Sequence, residues 1–170
     1  CLNEISACAD LLLNLVNEIL DLSKIAAGKL EIDLVEFELD RVIQQVFSML
    51  KPVAKQKKLQ LILDMDGNLP QFVKTDSLRL QQVIINLLSN AIKFTDAGKV
   101  TLEIKLHQQK TNGNSSHLLF RIIDTGHGIS KDVLPFLFQD FTQASKSVAR
   151  TYGGTGLGLP IVKRIIEDHD

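Results

Sequence analysis

The sequence predicts an α+β fold: a two-layer α/β sandwich whose helices lie on one face of a sheet. Two stretches, residues 40–56 and 76–95, place apolar side chains three and four apart, which is typical of amphipathic helices. Residues 59–65, 100–107 and 117–124 are rich in branched residues or alternate between apolar and polar ones, which is typical of strands. The order of these segments is mixed, with strands between the helices and a hairpin after them, and this order favours the sandwich.

The composition is that of an ordinary globular domain, and it excludes some classes of partner. The chain has 170 residues, of which 45% are hydrophobic and 23% charged, enough for one core and an appended element. A formal net charge of −1 provides no basic field that would attract nucleic acid or anionic lipid. No apolar run approaches the length of a membrane span.

The first residue and the cysteines predict a piece of a longer protein from a reducing compartment. The chain begins at Cys1 rather than at methionine, so we expect a fragment. Cys1 and Cys8 are separated by about 10 Å of helical rise, which is too far for a disulfide within one chain. Both are expected to be packing thiols, as in a cytoplasmic protein.

Residues 3–27 predict one long helix with a heptad seam, ended by Gly28. The seam residues follow alternating steps of three and four: Ile5, Cys8, Leu12, Leu15, Ile19, Leu22 and Ala26. Leu11 and Val16 make the apolar stripe wider than a two-stranded coil needs, which favours a four-helix bundle formed by two copies. The alternative is a helix that packs on its own domain.

The next segments alternate between short strands and a helix. Residues 30–35 predict a short strand, and residues 40–56 predict a helix. Residues 59–65 predict a second strand, closed by the turn Asp66-Gly67, and residues 71–75 predict a third extended piece. The helix is expected to turn these apolar residues inward: Val42, Ile43, Val46, Phe47, Leu50 and Val53.

The helix predicted at residues 76–95 carries an unusual polar stripe, and Asp76 or Ser77 is placed to cap its start. Its apolar face consists of Leu80, Val83, Ile84, Leu87, Leu88 and Ala91. Beside it runs a polar stripe of Arg79, Gln82, Asn86, Asn90 and Lys93. Asparagine is a poor helix former, but its amide oxygen can bind Mg²⁺, while lysine can meet phosphate oxygens. A half-buried helix whose amides bond to neighbouring loops explains the stripe equally well.

A carboxylate and two glycines follow the hairpin's second strand. Asp124 ends that strand, and Gly126 and Gly128 predict a sharp turn where a flat ligand can approach the backbone. Asp124 provides the acceptor that the exocyclic amine of adenine would need. The alternative is that Asp124 caps a short helix near residues 130–137.

A second glycine stretch, residues 152–160, predicts a phosphate cradle. Gly154, Gly156 and Gly158 free the backbone to curl N–H groups around an anion, and Pro160 fits the first turn of a following helix. The spacing matches neither the dinucleotide fingerprint nor the lysine-ended P-loop. A flexible linker is the alternative.

An aromatic and basic segment lies between the two glycine stretches. It contains Phe136, Phe138 and Phe141, followed by Lys146 and Arg150. An aromatic anchor with a basic flap would form a lid over a triphosphate. A core aromatic cluster followed by a surface loop is the alternative, and both can hold at once.

Four motifs together resemble the N, G1, F and G2 boxes of sensor histidine kinases, in the same order and at about the same separations. They are NLLSNAIKFT at 86–95, DTGHGI at 124–129, FxxFTQ at 138–143 and GGTGLGL at 153–159. The segment ILDLSKIAAGKLEI at 19–32 is similar to the second helix of that family's dimerisation and phosphotransfer domain. The residues within these motifs are most similar to those of bacterial hybrid kinases.

The resemblance implies two domains and the fold shared with gyrase-type and chaperone ATPases. Residues 1–28 would be the second helix of the dimerisation domain, and residues 29–170 the ATP-binding catalytic domain. The chain ends within a predicted helix at Asp170, where the family continues with further strands, so we expect the sheet to lack an edge.

The resemblance implies that ATP and Mg²⁺ are the cofactors, and it assigns roles to the residues that stand at the positions of the family's motifs. It assigns Asn90 as the Mg²⁺ ligand, with Asn86 in the same site and Lys93 at the phosphates. Asp124 is assigned to the adenine amine, and Arg150 to the lid. Asn90, Lys93 and Arg150 are the implied catalytic residues. The other implied nucleotide-binding residues are Gly126, Gly128, Ile129, Phe138, Gly154, Thr155, Gly156, Leu157 and Gly158.

The resemblance also implies partners: a phosphoacceptor histidine on the protein's own dimerisation helix, a response regulator receiver domain and a second copy. In this family the phosphoacceptor histidine lies in a motif called the H box. None of the four histidines of this chain lies in such a motif; they are His107, His117, His127 and His169. We therefore expect that the fragment does not phosphorylate itself, and that it is the cytoplasmic part of a protein that can carry a membrane anchor.

Two other functions compete with the kinase. An ATP hydrolase of the gyrase or chaperone type would use a glutamate one turn before the metal-binding asparagine, and Asn86 stands there. A non-catalytic nucleotide sensor or docking module is the other alternative.

Overall fold

The computed structural model of the protein describes residues 32–109, 116–139 and 157–167. Its contacts divide the chain into two compact units, one of Asp33–Ile129 and one that joins Cys1–Ile32 to Ser130–Asp170. The helix predicted at residues 3–27 lies outside the described residues, so its heptad seam stays a prediction.

The described part of the Asp33–Ile129 unit combines two helices with two small sheets. The helices are α1 (Leu39–Gln56) and α2 (Ser77–Phe94), and the strands are β1 (Val35–Glu38), β2 (Gln60–Met65), β3 (Phe72–Thr75), β4 (Lys99–Gln109) and β5 (Ser116–Asp124). Strand β1 pairs antiparallel with β3, whereas β4 pairs parallel with β2 and antiparallel with β5. This arrangement confirms the predicted α+β class and the predicted hairpin of β4 and β5.

The core lies between the two helices and one face of the three-stranded sheet. Val100, Leu102 and Ile104 of β4 are fully buried in this core, which the helices α1 and α2 also line. Because side chains alternate along a strand, Glu103 lies on the opposite face, where it pairs with Lys105. The helices therefore share one face of the sheet, as the sequence predicts.

Helix α1 agrees with its prediction except at one apolar position. Its buried residues are Leu39, Val42, Ile43, Val46, Phe47, Leu50 and Ala54. Val53 was expected to face inward but is 47% exposed. Ala54 is buried instead, because one residue step turns a helix by about 100° and moves the side chain to another face.

Strand β1 does not span the residues that were predicted for it. The expected strand at residues 30–35 is wrong in its bounds, since β1 begins at Val35 and ends at Glu38. Its bounds follow from antiparallel pairing with β3, which matches Val35 to Thr75 and Glu38 to Phe72. Alternation within residues 30–35 could not reveal this distant partner.

The second unit contributes a short turn and one helix to the described residues. A 3-10 turn spans Leu134–Phe136, and helix α3 spans Gly158–Glu167. The predicted helix near residues 130–137 is wrong beyond this 3-10 turn, whose bonds join residues three apart, as from the N–H of Phe136 to the carbonyl of Val133. No helix in the described part of the chain is both long and apolar enough to cross a bilayer.

Candidate functional site

Helix α2 begins at a cap that the sequence predicts. Oδ1 of Asp76 accepts a hydrogen bond from the backbone N–H of Arg79 at 3.0 Å, which satisfies one of the free donors of the first turn. The other oxygen, Oδ2, accepts from the N–H of Asp33 at 3.2 Å. Asp76 is 6% exposed, so the cap also fixes the segment that leads into β1.

The apolar face of α2 fixes the orientation of its polar stripe. The buried residues are Ile84, Leu88, Ala91 and Ile92. Of the other predicted positions, Leu80 packs against the core, while Val83 and Leu87 are half-buried. Ile92 was not predicted, but it lies one turn beyond Leu88 on the same face. The stripe of Asn86, Asn90 and Lys93 is consequently half-buried at the border of this face.

The two asparagines of α2 are bonded to each other. Nδ2 of Asn90 donates to Oδ1 of Asn86 at 3.2 Å. Since this bond uses the amide nitrogen of Asn90, the oxygen Oδ1 of Asn90 can serve as a ligand for a hard cation. A single amide oxygen suits Mg²⁺, which usually keeps several waters and takes further ligands from substrate phosphates. The donor set therefore fits a Mg²⁺–phosphate group.

Lys93 lies in the last turn of α2, next to an aromatic ring. Its Nζ lies 5.0 Å from the ring centroid of Phe94, a cation–π distance. Burial lowers the pKa of Lys93 below the ordinary value of a lysine amine, because partial desolvation disfavours the charged form. An anion beside Nζ would offset this penalty, so the side chain suits a phosphate.

The turn after β5 is held by Asp124 itself. Its Oδ1 accepts a hydrogen bond from the N–H of Gly126 at 2.8 Å, while a carboxylate has a second oxygen to offer. The alternative role, a cap on a helix at residues 130–137, does not apply, because that helix is not formed. The side chain is exposed, and its second oxygen can accept from a ligand.

Thr125 anchors this turn to the start of β4, and sequence reasoning missed it. Its Oγ1 accepts from the N–H of Lys99 at 3.0 Å and lies 3.2 Å from the carbonyl oxygen of Ala97. Gly98, with φ +108°, makes room for it: a Cβ atom at Gly98 would lie 2.3 Å from Oγ1 of Thr125. The available signal was the glycine directly before a strand, which often marks a close approach.

The end of α2 adjoins the glycine turn. A Cβ atom on Gly126 would lie 2.4 Å from the carbonyl oxygen of Phe94. The rings of Phe94 and His127 meet edge to face, with their centroids 5.8 Å apart and their planes at 77°. The structure therefore brings the C-terminal end of α2, with Lys93 in its last turn, next to the turn after β5.

Two more predicted residues follow in the same turn. Gly128 has φ +72°, a conformation that favours glycine. Ile129 is 52% exposed and presents an apolar surface beside the turn. A carboxylate acceptor, an apolar side chain, an amide oxygen and a lysine amine are together the groups that a Mg²⁺–nucleotide needs.

The remaining predicted residues belong to the second unit or lie outside the described residues. Phe138 is half exposed after the 3-10 turn, Leu157 is buried, and Gly158 is the first residue of α3. The helix predicted after the second glycine stretch is thus formed and begins at Gly158, whereas the phosphate cradle stays a prediction. The other assigned residues are outside the description and stay predictions: Arg150, Gly154, Thr155 and Gly156.

Comparison with known proteins agrees with this chemistry. Residues 75–170 match the protein family "Histidine kinase-, DNA gyrase B-, and HSP90-like ATPase". Sensor histidine kinase GacS of Pseudomonas protegens is 44% identical over 166 residues, which are 98% of this chain and 18% of that protein. Hybrid signal transduction histidine kinase L of Dictyostelium discoideum is 39% identical over 155 residues, which are 91% of this chain and 9% of that protein.

A solved structure also resembles the chain. Full-length ShkA, crystallised in complex with AMPPNP, superposes with a TM-score of 0.76 at 30% identity, covering 94% of this chain and 31% of ShkA. The chain thus spans less than a fifth of the length of the two curated relatives named above.

Proposed function

The chain belongs to the family of histidine kinase-, DNA gyrase B- and HSP90-like ATPases, and we propose that it is the ATP-binding catalytic part of a sensor histidine kinase. Its reaction is transfer of the γ-phosphate of ATP to a histidine in two-component signal transduction. The observation that carries this proposal is that the C-terminus of α2, the helix that bears Asn86, Asn90 and Lys93, adjoins the Asp124–Gly126 turn through Phe94. The names of the relatives, and the AMPPNP in the ShkA crystal, support it.

The turn after β5 would bind the base. The second oxygen of Asp124 accepts from the exocyclic amine of adenine, while Oδ1 holds the turn through Gly126. Gly126 has no side chain to keep the ring away from the backbone. Ile129, which is half exposed, would provide an apolar surface against the adenine ring.

The stripe of α2 would hold the phosphates. Oδ1 of Asn90 is the ligand for Mg²⁺, and Asn86 fixes the Asn90 amide through the hydrogen bond at 3.2 Å. The amine of Lys93 balances phosphate charge, and Arg150 is proposed to do so from the lid. When bound, Mg²⁺ supplies charge neutralisation at the transferred phosphoryl group. Such transfer depends mostly on positioning and electrostatics, so this part of the chain needs no covalent nucleophile.

Asn86 argues against efficient ATP hydrolysis. Activation of water needs a general base, and an amide does not act as one at neutral pH. Moreover, Oδ1 of Asn86 already accepts a hydrogen bond from Asn90. The attacking group is instead the imidazole of a phosphoacceptor histidine that another helix supplies.

The family resemblance extends the proposal to domains and partners. We propose residues 1–28 as the second helix of the dimerisation domain and residues 29–170 as the catalytic domain; the family match over residues 75–170 supports the second assignment. The partners are the protein's own phosphoacceptor histidine, a second copy and a response regulator receiver domain. The domain works in the cytoplasm, where ATP is available.

A transfer assay tests the proposal. The 170-residue chain is mixed with a dimerisation hairpin that carries the phosphoacceptor histidine of a sensor histidine kinase, then with ATP labelled on its γ-phosphate and with Mg²⁺. We expect acid-labile label on the hairpin, and none when its phosphoacceptor histidine is replaced by glutamine or when Asn90 is replaced by alanine. Release of free phosphate without a labelled hairpin would support the hydrolase instead. Nucleotide binding without either product would support the nucleotide sensor.

A further inference from the structure

The proposed phosphate site lies at the unfavourable end of a helix for an anion. The free carbonyl groups at a helix C-terminus carry about half a negative charge, which repels anions. Lys93 belongs to the last turn of α2, and the carbonyl of Phe94 adjoins the Gly126 turn. A triphosphate bound beside Lys93 therefore approaches the negative end of α2.

A lysine from the end of α1 meets this helix end. Nζ of Lys57 donates to the carbonyl oxygens of Ile92 and Lys93, each at 2.8 Å. In addition, Oγ1 of Thr95 donates to the carbonyl oxygen of Ala91 at 2.7 Å. Three successive carbonyl groups of the last turn thus accept bonds from side chains, and two of the three bonds come from one cation.

The backbone after α1 holds Lys57 in this place. The N–H of Leu59 donates to the carbonyl of Ala54 at 2.9 Å, and the N–H of Lys58 to that of Lys55 at 3.0 Å. Lys58 adopts φ +59°, so these bonds form a Schellman motif. Leu59 and Ala54, the first and last residues of its longer bond, are both buried in the core, which stabilises the motif. The backbone of Lys57 is therefore fixed by this motif, and the two bonds from Nζ hold its side chain at the end of α2.

We propose that Lys57 determines triphosphate affinity without touching the nucleotide, by neutralising the C-terminus of α2 where the phosphates bind. The inference rests on the proposed function. It makes Lys57 a positioning residue with two effects: its charge cancels the helix-end potential, and its two bonds fix the backbone of Lys93. If Lys57 were a purely structural cap, its loss would weaken the binding of every ligand equally. If its role is electrostatic, the loss of affinity increases with the negative charge of the ligand.

Calorimetric titration of adenosine, AMP, ADP and ATP separates these roles. Lys57→Met keeps the length of the side chain but removes its charge and its donors. We expect its ATP affinity to fall about three- to tenfold, its adenosine affinity to change less than twofold, and the loss to grow with each phosphate. Lys57→Arg keeps the charge and the donors, so it should retain the ATP affinity of the unmutated chain. Lys55→Met, an exposed residue in the same turn of α1, is the matched control and should bind like the unmutated chain.

The other outcomes overturn the inference or the function beneath it. An equal loss for adenosine and ATP in Lys57→Met would assign Lys57 to structure alone, and an unchanged ATP affinity would remove any role. If Lys57→Met does not fold, Lys57→Gln retains a donor without the charge, and the same dependence on phosphate number is required of it. Failure of the unmutated chain to bind ATP would overturn the proposed function, and the inference with it.

Discussion

The carbonyl oxygen of Phe94 and the backbone of Gly126 are in such close contact that the site leaves no room for a side chain between them. A Cβ atom at Gly126 would lie 2.4 Å from that oxygen and 2.8 Å from Oδ1 of Asp124. The obstacle at Phe94 is backbone at the end of a packed helix, which cannot move aside as a flexible side chain can. This contact therefore fixes the position of the helix of the proposed phosphate site relative to the turn of the proposed base site.

Gly126→Ala should disturb the fold and the site together. We expect a loss of about 1–3 kcal/mol in the free energy of unfolding, the usual cost of overpacking, and a clear loss of ATP affinity. Urea unfolding and calorimetric titration measure the two effects. Gly67→Ala is the matched control, because a Cβ atom there would meet nothing within 4 Å. Equal stability of the Gly126→Ala and Gly67→Ala variants would contradict the close contact.

Asn90→Ala should remove the Mg²⁺ dependence of ATP binding while leaving the fold intact. Alanine has the higher helix propensity, so α2 should persist despite the loss of the bond to Asn86. Titrations with Mg²⁺ and with a chelator give the metal dependence, and circular dichroism reports the helix. Ser89→Ala, an exposed neighbour on the same helix, should keep the metal dependence. If Asn90→Ala keeps it as well, Asn90 is not the metal ligand.

The sequence predicted local patterns well and tertiary partners poorly. The helices α1 and α2, the β4–β5 hairpin and the cap at Asp76 follow from spacing and short-range chemistry, which a sequence displays directly. The bounds of β1 depend on pairing with β3, 34 or more residues away by its register. Burial of Ala54 instead of Val53 depends on the rotation of α1 against its neighbours. Neither is encoded in a single window of residues.

The same division holds within the candidate site. Asn90 and Asp124 were found because their residue types are unusual in their positions, a polar stripe on a helix and a carboxylate before glycines. Lys57 and Thr125 were missed because lysine after a helix and threonine in a turn are common. Their roles arise only from contacts with residues 26 or more positions away.

Lys58→Gly should stabilise the protein. Lys58 has φ +59° at the end of α1, a conformation that costs a residue with a side chain more than it costs glycine. Its side chain is exposed, so little packing is lost. We expect a gain of about 0.5–1 kcal/mol in the free energy of unfolding, after the higher entropy of glycine in the unfolded chain is deducted. Urea unfolding of Lys58→Gly and Lys58→Ala checks this, since Lys58→Ala keeps a Cβ atom and should show no such gain.

Glu103 should make stability depend on pH in the acid range. A hydrogen bond from Lys105 is the main cause that holds the pKa of Glu103 below its ordinary value, and the charge of Arg121, 2.9 Å away, adds to it. Because the pKa is lower in the folded than in the unfolded chain, the stabilisation is present above the unfolded value of about 4.5. It is lost as pH falls through the folded value. Glu103→Gln should therefore flatten the pH dependence of the free energy of unfolding. Parallel curves for the two proteins below about pH 4.5 would contradict the ion pairs.

The choice between ATP and GTP tests Asp124, and the hydrogen bond to Gly126 makes a sharper experiment possible. An ionised carboxylate only accepts hydrogen bonds, so it favours adenine, whose exocyclic amine donates, over guanine, which presents a carbonyl oxygen there. A hydrogen bond to a charged group contributes roughly 1.5–3 kcal/mol. The unmutated chain should therefore bind ATP about ten to a hundred times more tightly than GTP. Calorimetric titration of both nucleotides measures this ratio.

Two variants separate the turn from the base. Asp124→Ala loses the bond to the N–H of Gly126 together with the base contact, so it should weaken ATP without strengthening GTP. Asp124→Asn keeps an oxygen for Gly126 but can turn its NH₂ group toward the base, where it opposes the adenine amine and matches the guanine carbonyl. The preference for ATP should therefore shrink or reverse in Asp124→Asn while the fold keeps its stability. An Asp124→Asn variant that still prefers ATP as strongly as the unmutated chain would mean that Asp124 only holds the turn, and the adenine assignment would be wrong.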